Sequence, residues 1–320
     1  VVVGGMPVLN LLALMMGLFK IFRGSKLAKK LAEKLGLKSG FLKCTILDAE
    51  PVNSITGEVV VEQNDFVVEG RFPLVWDRYY GSQKAVTGVI GQRWQCPADI
   101  RLEVLVDQGE LGVVARFPDH ETVFSLMPIE QGWDERVYDW QQGHALYRSG
   151  NQLVLRTRHE EEYFFTLPND WESTVIPFTA ADRLTLPILR MADRYGNGWQ
   201  FKRQGNSLLL ALIELTQGLL SGREVHVIQD ENAPISGMLN DFVLVNKTNG
   251  ERRFLVGYRH DGEGNLIATL DADNHPYQFE YIADSQMVRH TDRNGLSFYY
   301  RYQRHSDGLD RVEHAWGDGG

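Results

Sequence analysis

The sequence has little cysteine, and the two thiols that it has cannot form a disulfide framework. Only Cys44 and Cys96 occur among 320 residues. Small secreted domains that depend on disulfides need several pairs. We therefore expect free thiols in a reducing compartment, and a chain that is stabilised by its hydrophobic core.

The sequence also lacks the short motifs of common catalytic and metal sites. The nine histidines show no metal-ligand spacing, and HEEEY, which starts at His159, has no second histidine four residues on. No GxSxG is present, and the glycine-rich GDGG opens no helix that could bind phosphate. We predict no cofactor, no metal site and no catalytic residue in this portion, which leaves an independent enzyme as the weakest of the hypotheses.

Basic residues are scarce outside the first fifty positions. Residues 1–50 hold eight Lys or Arg against three Asp or Glu, a net charge of +5. Because the whole chain has a net charge of −9, the other 270 residues have a net charge of −14. Nucleic-acid binding needs clustered basic side chains. The acidic body excludes a nucleic-acid partner for this portion.

The first fifty residues have the pattern of helices. Met6–Phe22 is an apolar run of 17 residues, about 25 Å as a helix and short for a membrane span, so we favour a helix buried against protein. In Ser25–Gly36 the serine can cap the amino end and the glycine the carboxyl end. The opposite face of that segment is rich in lysine, which suits either a membrane surface or an acidic protein partner. The leucines at the spacing of one helix face are Leu27, Leu31 and Leu35.

From Pro51 onward the hydrophobic period changes from about 3.6 to about 2, which predicts a mainly β protein of antiparallel hairpins. Glycine, asparagine and aspartate interrupt the strands every eight to twelve residues, as in a meander. We also interpret LLLALIEL, from Leu208, as a buried strand and not a helix. The predicted domains are a helical segment at 1–50, a first β-domain at 51–190 and a repeat region at 191–320.

The repeat region contains a unit of 23 and then 21 residues between tyrosines. Each unit has a tyrosine, a turn, a short apolar strand, an aspartate, a second turn and a strand back to the next tyrosine. The anchors are Tyr258, Asp271, Tyr281, Asp292 and Tyr302, with a fainter copy from Asp193. Such units predict one hairpin repeated along a single sheet.

These units resemble the YD repeats of the Rhs family, which includes the cocoon proteins of bacterial Tc toxins and the teneurins. The stretch EPVNSITGEVVVEQNDFVVEGRFPLVWDRYYGS, from Glu50, and GVIGQRW, from Gly88, are similar to the start of the Rhs core. The resemblance covers residues 48–320. Gln92-Arg93 departs from the family pattern, in which glycine is usual before the tryptophan.

The resemblance implies a sheet that spirals into a hollow cocoon, with residues 1–50 as a plug and this chain as the first turns of the wall. A C-terminal toxin would lie inside, paired with an immunity protein in the producing cell. VVVGGMPV, at the start, is similar to the last strand of a PAAR domain, which implies a VgrG-type spike, an Eag-type chaperone and type VI secretion. The protein would then be in the bacterial cytoplasm before export and afterwards in the target cell.

The same resemblance implies a cut before Pro51 that leaves the plug bound without a covalent link. Glu50–Pro51 is the matching bond, and Asp48 is the nearby carboxylate that could assist. The simpler interpretation is that Pro51 only ends the helical segment.

Eight aromatic side chains admit two interpretations: packing inside the wall, which we favour, or a sugar-binding surface. The second interpretation belongs to the alternative function, a YD-repeat module that binds carbohydrate or a receptor. The side chains are Trp76, Tyr79, Tyr80, Trp94, Trp133, Trp140, Trp199 and Trp316.

Overall fold

A computed structural model describes residues 52–53, 56–107, 110–171, 183–205, 208–229 and 235–318. Across these ranges the chain is mainly β, as predicted, and the helical segments that lie wholly within them are two short 3-10 segments, Pro97–Asp99 and Ala283–Ser285. No helix in these ranges is long and apolar enough to cross a membrane. The predicted helices of residues 1–50 lie outside the described residues.

Nine strands, which we call the N-terminal module, come first. They form a four-stranded sheet in the order β1-β2-β3-β6, the two-stranded ladder β4-β5, and the sheet β7-β8-β9. The strands are β1 Val52–Asn53, β2 Glu58–Val68, β3 Leu74–Gly81, β4 Thr87–Gly88, β5 Gly91–Gln92, β6 Trp94–Gln95, β7 Arg101–Asp107, β8 Glu110–Arg116 and β9 Glu121–Phe124.

The remaining strands form one antiparallel sheet of fifteen, which we call the long sheet, except β14, which pairs with β7. Apart from β14, all strands from β10 to β25 follow one another in the long sheet in chain order, and β13 pairs directly with β15. The long sheet is therefore a single meander. The strands are β10 Gly132–Asp139, β11 His144–Ser149, β12 Gln152–Arg156, β13 Glu162–Thr166, β14 Leu184–Pro187, β15 Arg190–Ala192, β16 Gly198–Gln204, β17 Leu208–Thr216, β18 Leu219–Gln229, β19 Leu239–Asn246, β20 Arg252–His260, β21 Leu266–Leu270, β22 Pro276–Ile282, β23 Gln286–Thr291, β24 Ser297–Arg304 and β25 Asp310–Gly317.

The long sheet bears on two predictions about the chain. LLLALIEL lies in strand β17, with Leu209 and Leu212 fully buried, so its interpretation as a buried strand is confirmed. The boundary between 51–190 and 191–320 stays a prediction. Strands β13 and β15 pair side by side there, and the long sheet continues without a break.

The long sheet curves around the N-terminal module. Fifteen strands at about 4.8 Å spacing would span about 65 Å if the sheet were flat, whereas a domain of about 70 residues has a radius of gyration of about 11 Å. Yet the module contacts both ends of the sheet. Thr122 on β9 is 3.1 Å from the His144 ring on β11, and the Val312 amide on β25 donates to the Gly57 carbonyl at 2.8 Å. Only a strongly curved sheet reaches both contacts.

Candidate functional site at the junction of module and sheet

We call the region where the N-terminal module packs against the long sheet the junction. Its first contact joins a repeat tyrosine to the module. Tyr258, on β20, is fully buried. Its hydroxyl accepts the indole N–H of Trp76 at 3.1 Å and donates to the Asp65 carboxylate at 2.6 Å. Trp76 and Asp65 belong to the WDR and DF stretches of the family-like segment. One side chain of the repeat therefore satisfies two buried polar groups of the module.

The second tyrosine anchor repeats the arrangement one hairpin further along. The Trp94 indole N–H donates to the Tyr281 hydroxyl at 2.8 Å, and that hydroxyl donates to the Leu266 carbonyl at 2.7 Å. Tyr302 likewise donates to the Met287 carbonyl at 2.8 Å. Both carbonyls lie fifteen residues before their tyrosine. The repeat thus places equivalent hydroxyls on β22 and β24 of one sheet.

Arg78 lies at the centre of the junction and is wholly buried. It forms an ion pair with Asp65, and its Nη2 donates to the Gln63 side chain at 3.0 Å. The guanidinium carbon lies 5.4 Å from the Trp94 ring centroid and 5.5 Å from that of Phe279, distances typical of cation–π contacts. Burial lowers the pKa of Arg78 to about 10, so the side chain keeps its charge at neutral pH and needs its partner.

Aromatic rings fill the space around this ion pair. Trp76 stacks on Phe66 at a centroid distance of 5.7 Å and tilts against Phe242 of β19 at 5.0 Å. Trp94 meets Phe279 of β22 edge-on at 5.0 Å. Rings from the module and rings from the long sheet therefore belong to one hydrophobic core.

Among the eight aromatics considered, the packing interpretation is confirmed for Trp76, Tyr80, Trp94 and Trp199, all buried. Trp140, near the β10–β11 turn, differs, because 76% of its surface is exposed and its neighbour is Tyr138. Trp133 is 37% exposed and has guanidinium groups of Arg136 and Arg156 within 4.5 Å of its ring. A solvent-facing aromatic group thus exists at the first edge of the long sheet.

Hairpin turns of the long sheet share one hydrogen-bonding pattern. The Asp292 carboxylate accepts the amide N–H groups of Asn294 at 2.8 Å and Leu296 at 2.9 Å. Among the described turns, four have an aspartate at this position: Asp193, Asp261, Asp271 and Asp292. The carboxylate replaces the backbone partners that a tight turn leaves unsatisfied. The interpretation of Asp271 and Asp292 as turn residues thus agrees with the structure, whereas the equivalent Asp261 was missed. The signal for it was a glycine or asparagine three residues after each aspartate.

The turn position three residues after the aspartate requires a left-handed backbone. Gly295 has φ +84° and no atom within 4 Å of an added Cβ. Gly262, in the β20–β21 turn, has the same open space but no positive φ. We expect Gly295→Ala to lower the free energy of unfolding by about 1–2 kcal/mol. The matched Gly262→Ala should leave it unchanged or raise it by up to about 1 kcal/mol. Urea denaturation of both variants measures this, and equal effects would contradict it.

The Asp261 turn makes stability depend on pH. Burial alone would raise the pKa of Asp261, but hydrogen bonds from Asn265 and from the amides of Glu263 and Gly264 outweigh it and lower the pKa. A lowered folded-state pKa stabilises the protein above the ordinary carboxyl value, and the contribution is lost as pH falls through the folded value. Urea denaturation between pH 5 and pH 3 should therefore show a smaller decrease in stability for Asp261→Asn than for the wild type. Equal slopes would contradict this role.

Arg93, which replaces the usual glycine of the family pattern, has a left-handed backbone with φ 61°. Its amide donates to the Val86 carbonyl at 2.7 Å, so the surrounding turn holds this conformation. We expect Arg93→Gly to raise the free energy of unfolding by up to about 1 kcal/mol, since glycine adopts that conformation without a steric penalty. Thermal denaturation measures the change. A lower midpoint than that of the wild type would contradict this expectation.

Some predicted residues are brought together here and others cannot be located. Tyr258, Tyr281 and Tyr302 lie on β20, β22 and β24, every second strand of one sheet. The predicted cleavage residues Asp48, Glu50 and Pro51 lie outside the described residues, and so do Leu27, Leu31 and Leu35. The module residues Asp65 and Arg78 were not predicted as a pair.

One group of side chains has the composition of a metal site. Ligand atoms of Asp271, Asp273 and His275 lie within 4.8 Å of one another. The Asp271 carboxylate accepts two backbone N–H groups and pairs with Arg293 at 3.3 Å. The hydrogen bonds of the turn account for this geometry, so we assign no metal to it.

Comparisons with known proteins cover only part of this architecture. Residues 49–123 match the family model of a domain of unknown function, DUF6531. The chain is similar in structure to TcdB2-TccC3, with a TM-score of 0.38 and 9% identity over 78% of this chain. It is also similar to TcdB2-TccC3-TEV, with a TM-score of 0.39 and 8% identity over 83% of this chain. For the Tc holotoxin pore of Photorhabdus luminescens the TM-score is 0.32, with 8% identity over 83% of this chain. The chain spans 17%, 17% and 19% of the length of these three chains.

Proposed function

We propose that this chain is the N-terminal shell portion of an Rhs-type toxin that encapsulates a C-terminal toxin domain. The observation that supports the proposal is the curvature of the long sheet, whose β11 and β25 both contact one small module. A meander in which each strand pairs with the next can continue to wind as further hairpins are added. Such a wall leaves few free strand edges and separates its contents from the cytosol.

In this proposal the N-terminal module closes the end of the shell. Its tryptophans Trp76 and Trp94 anchor it to repeat tyrosines of the wall. Two clefts on the described surface have volumes of about 250 and 300 Å³. In this proposal the volume for the cargo is formed by strands beyond β25, on the side of the module away from the plug.

Proteolysis of the complete natural polypeptide tests encapsulation. We expect the C-terminal segment to survive under native conditions while exposed turns, such as that at Asn249–Gly250, are cut. The same segment should be digested after the shell is unfolded in urea. Digestion of the C-terminal segment as fast as the exposed turns, without denaturant, would contradict the proposal.

Delivery and self-cleavage are further parts of the proposal. The polypeptide would reach a VgrG-type spike through PAAR, with an Eag-type chaperone, and enter the target cell by type VI secretion. Hydrolysis of Glu50–Pro51, assisted by Asp48, would leave the plug segment bound without a covalent link. Intact-mass measurement should then give two fragments whose masses sum to that of the chain plus one water, and one uncut chain would contradict cleavage.

The second candidate function is carbohydrate or receptor binding by the repeats. The exposed Trp140 and its neighbour Tyr138 lie near the β10–β11 turn, ahead of the repeat region, and support a binding surface at that edge of the long sheet, because aromatic faces are common contacts for sugars. Glycan-array binding at micromolar strength that is lost in Trp140→Ala would favour this candidate. The shell remains the better-supported function, since four of the eight aromatics considered are buried in the core and only Trp133 and Trp140 are exposed.

A further inference from the structure

The outer face of the β2–β3 hairpin carries an unusual apolar pair. Val67 and Val75 are directly opposite each other on the two strands. They are 36% and 42% exposed, whereas Val68 and Leu74 beside them are buried in the junction. The hairpin therefore has two apolar faces, and only the inner one is covered by described residues.

Two acidic side chains follow this pair along the same face of the hairpin. Glu62 is opposite Tyr79 in the ladder, and Asp77 is two residues from Val75. Burial and then the charges of Glu62, Asp77 and Asp119 raise the pKa of the Tyr79 phenol. Neither Glu62 nor Asp77 forms an ion pair with another described residue. The face thus combines apolar contact area with uncompensated negative charge.

A basic amphipathic segment of the same chain is tethered within reach of this face. The described chain begins at Val52, which pairs with Val59 at one end of β2. Residues 37–51 separate it from Ser25–Gly36 and reach at most about 50 Å. Strand β2 is 11 residues long, or about 37 Å, so the tether spans it. The segment offers three leucines on one face, with Lys26, Lys29, Lys30 and Lys34 against one acidic residue, Glu33.

We propose that Ser25–Gly36 docks on the outer face of the β2–β3 hairpin of its own chain, with its leucines on Val67 and Val75 and its lysines facing Glu62 and Asp77. The proposal rests on the plug role of residues 1–50 given above and specifies the surface to which the plug binds. Because the contact is intramolecular before any cut at Glu50–Pro51, it forms at high effective concentration, and after a cut it holds the segment without a covalent bond. The test needs no shell, so its failure leaves the encapsulation proposal intact.

Carbodiimide coupling of the full chain tests this docking, because it joins only amines and carboxylates that are in contact. A mixture of ¹⁵N-labelled and unlabelled chains distinguishes links within one chain from links between two. We expect links from the lysines of the segment to Glu62 or Asp77 within one chain. Val67→Thr combined with Val75→Thr should lower their yield about tenfold, as expected for the loss of two buried methyl contacts. The matched Ile228→Thr, at another exposed strand position, should not change the yield.

Three outcomes would overturn the proposal. Links to acidic residues elsewhere, such as Asp134 or Glu135 on β10, would show that docking is not specific. Links only between labelled and unlabelled chains would assign the face to a second copy. No links in solution, together with cosedimentation of the chain with anionic lipid vesicles through the segment, would assign it to a membrane surface.

Discussion

Replacing Asp65 with alanine is expected to lower the free energy of unfolding by about 3–5 kcal/mol, because it leaves the charge of Arg78 buried without its partner. The same substitution removes the acceptor of the Tyr258 hydroxyl. Urea denaturation of the chain gives the value. The matched Asp134→Ala, on the exposed face of edge strand β10, should stay within about 0.5 kcal/mol of the wild type.

A double variant separates the effect of the unpaired Arg78 charge from the effect of the lost side-chain volume. Combining Asp65→Leu with Arg78→Met replaces both charges with apolar side chains, which is often close to neutral for a buried pair. We expect this double variant to be more stable than Asp65→Ala. If both variants lost the same stability, the unpaired charge would not be the cause.

Replacing Trp94 with alanine is expected to lower the free energy of unfolding by about 3–5 kcal/mol, the usual range for a buried large aromatic residue. Trp94 is fully buried, contacts Tyr80 and Phe279, and donates its N–H to Tyr281. The loss therefore acts on both the module and the long sheet.

Trp140→Ala is the matched control, because Trp140 is 76% exposed. It should change the free energy of unfolding by less than about 0.5 kcal/mol. Urea denaturation of both variants measures the difference. Equal values would mean that the contacts between Trp94 and the long sheet do not stabilise the fold.

Much of the fold follows from local sequence pattern. Hydrophobic alternation from Pro51 onward and the tyrosine steps of 23 and 21 residues predicted one sheet of repeated hairpins. Arg78 also had a local signal, since alternation along β3 places it on the same face as Leu74, Trp76 and Tyr80. An arginine on a buried face requires a partner, and that inference was open to sequence reasoning.

The partners across the junction could not be predicted in this way. Trp76 and Tyr258 are 182 residues apart, and no periodicity links positions at that separation. Asp65 and Phe66 are both buried because the β2–β3 register shifts between Asn64 and Phe66. Such a bulge breaks alternation and follows from packing against the other layer. The curvature of the long sheet is likewise a property of contacts between distant segments.

Electron cryo-microscopy of the complete polypeptide that contains this chain tests the central claim most directly. The account predicts that the long sheet continues past β25 and closes around a cavity with density inside, with the N-terminal module seated at one end. A β25 edge that faces solvent, next to downstream domains that enclose no volume, would contradict it.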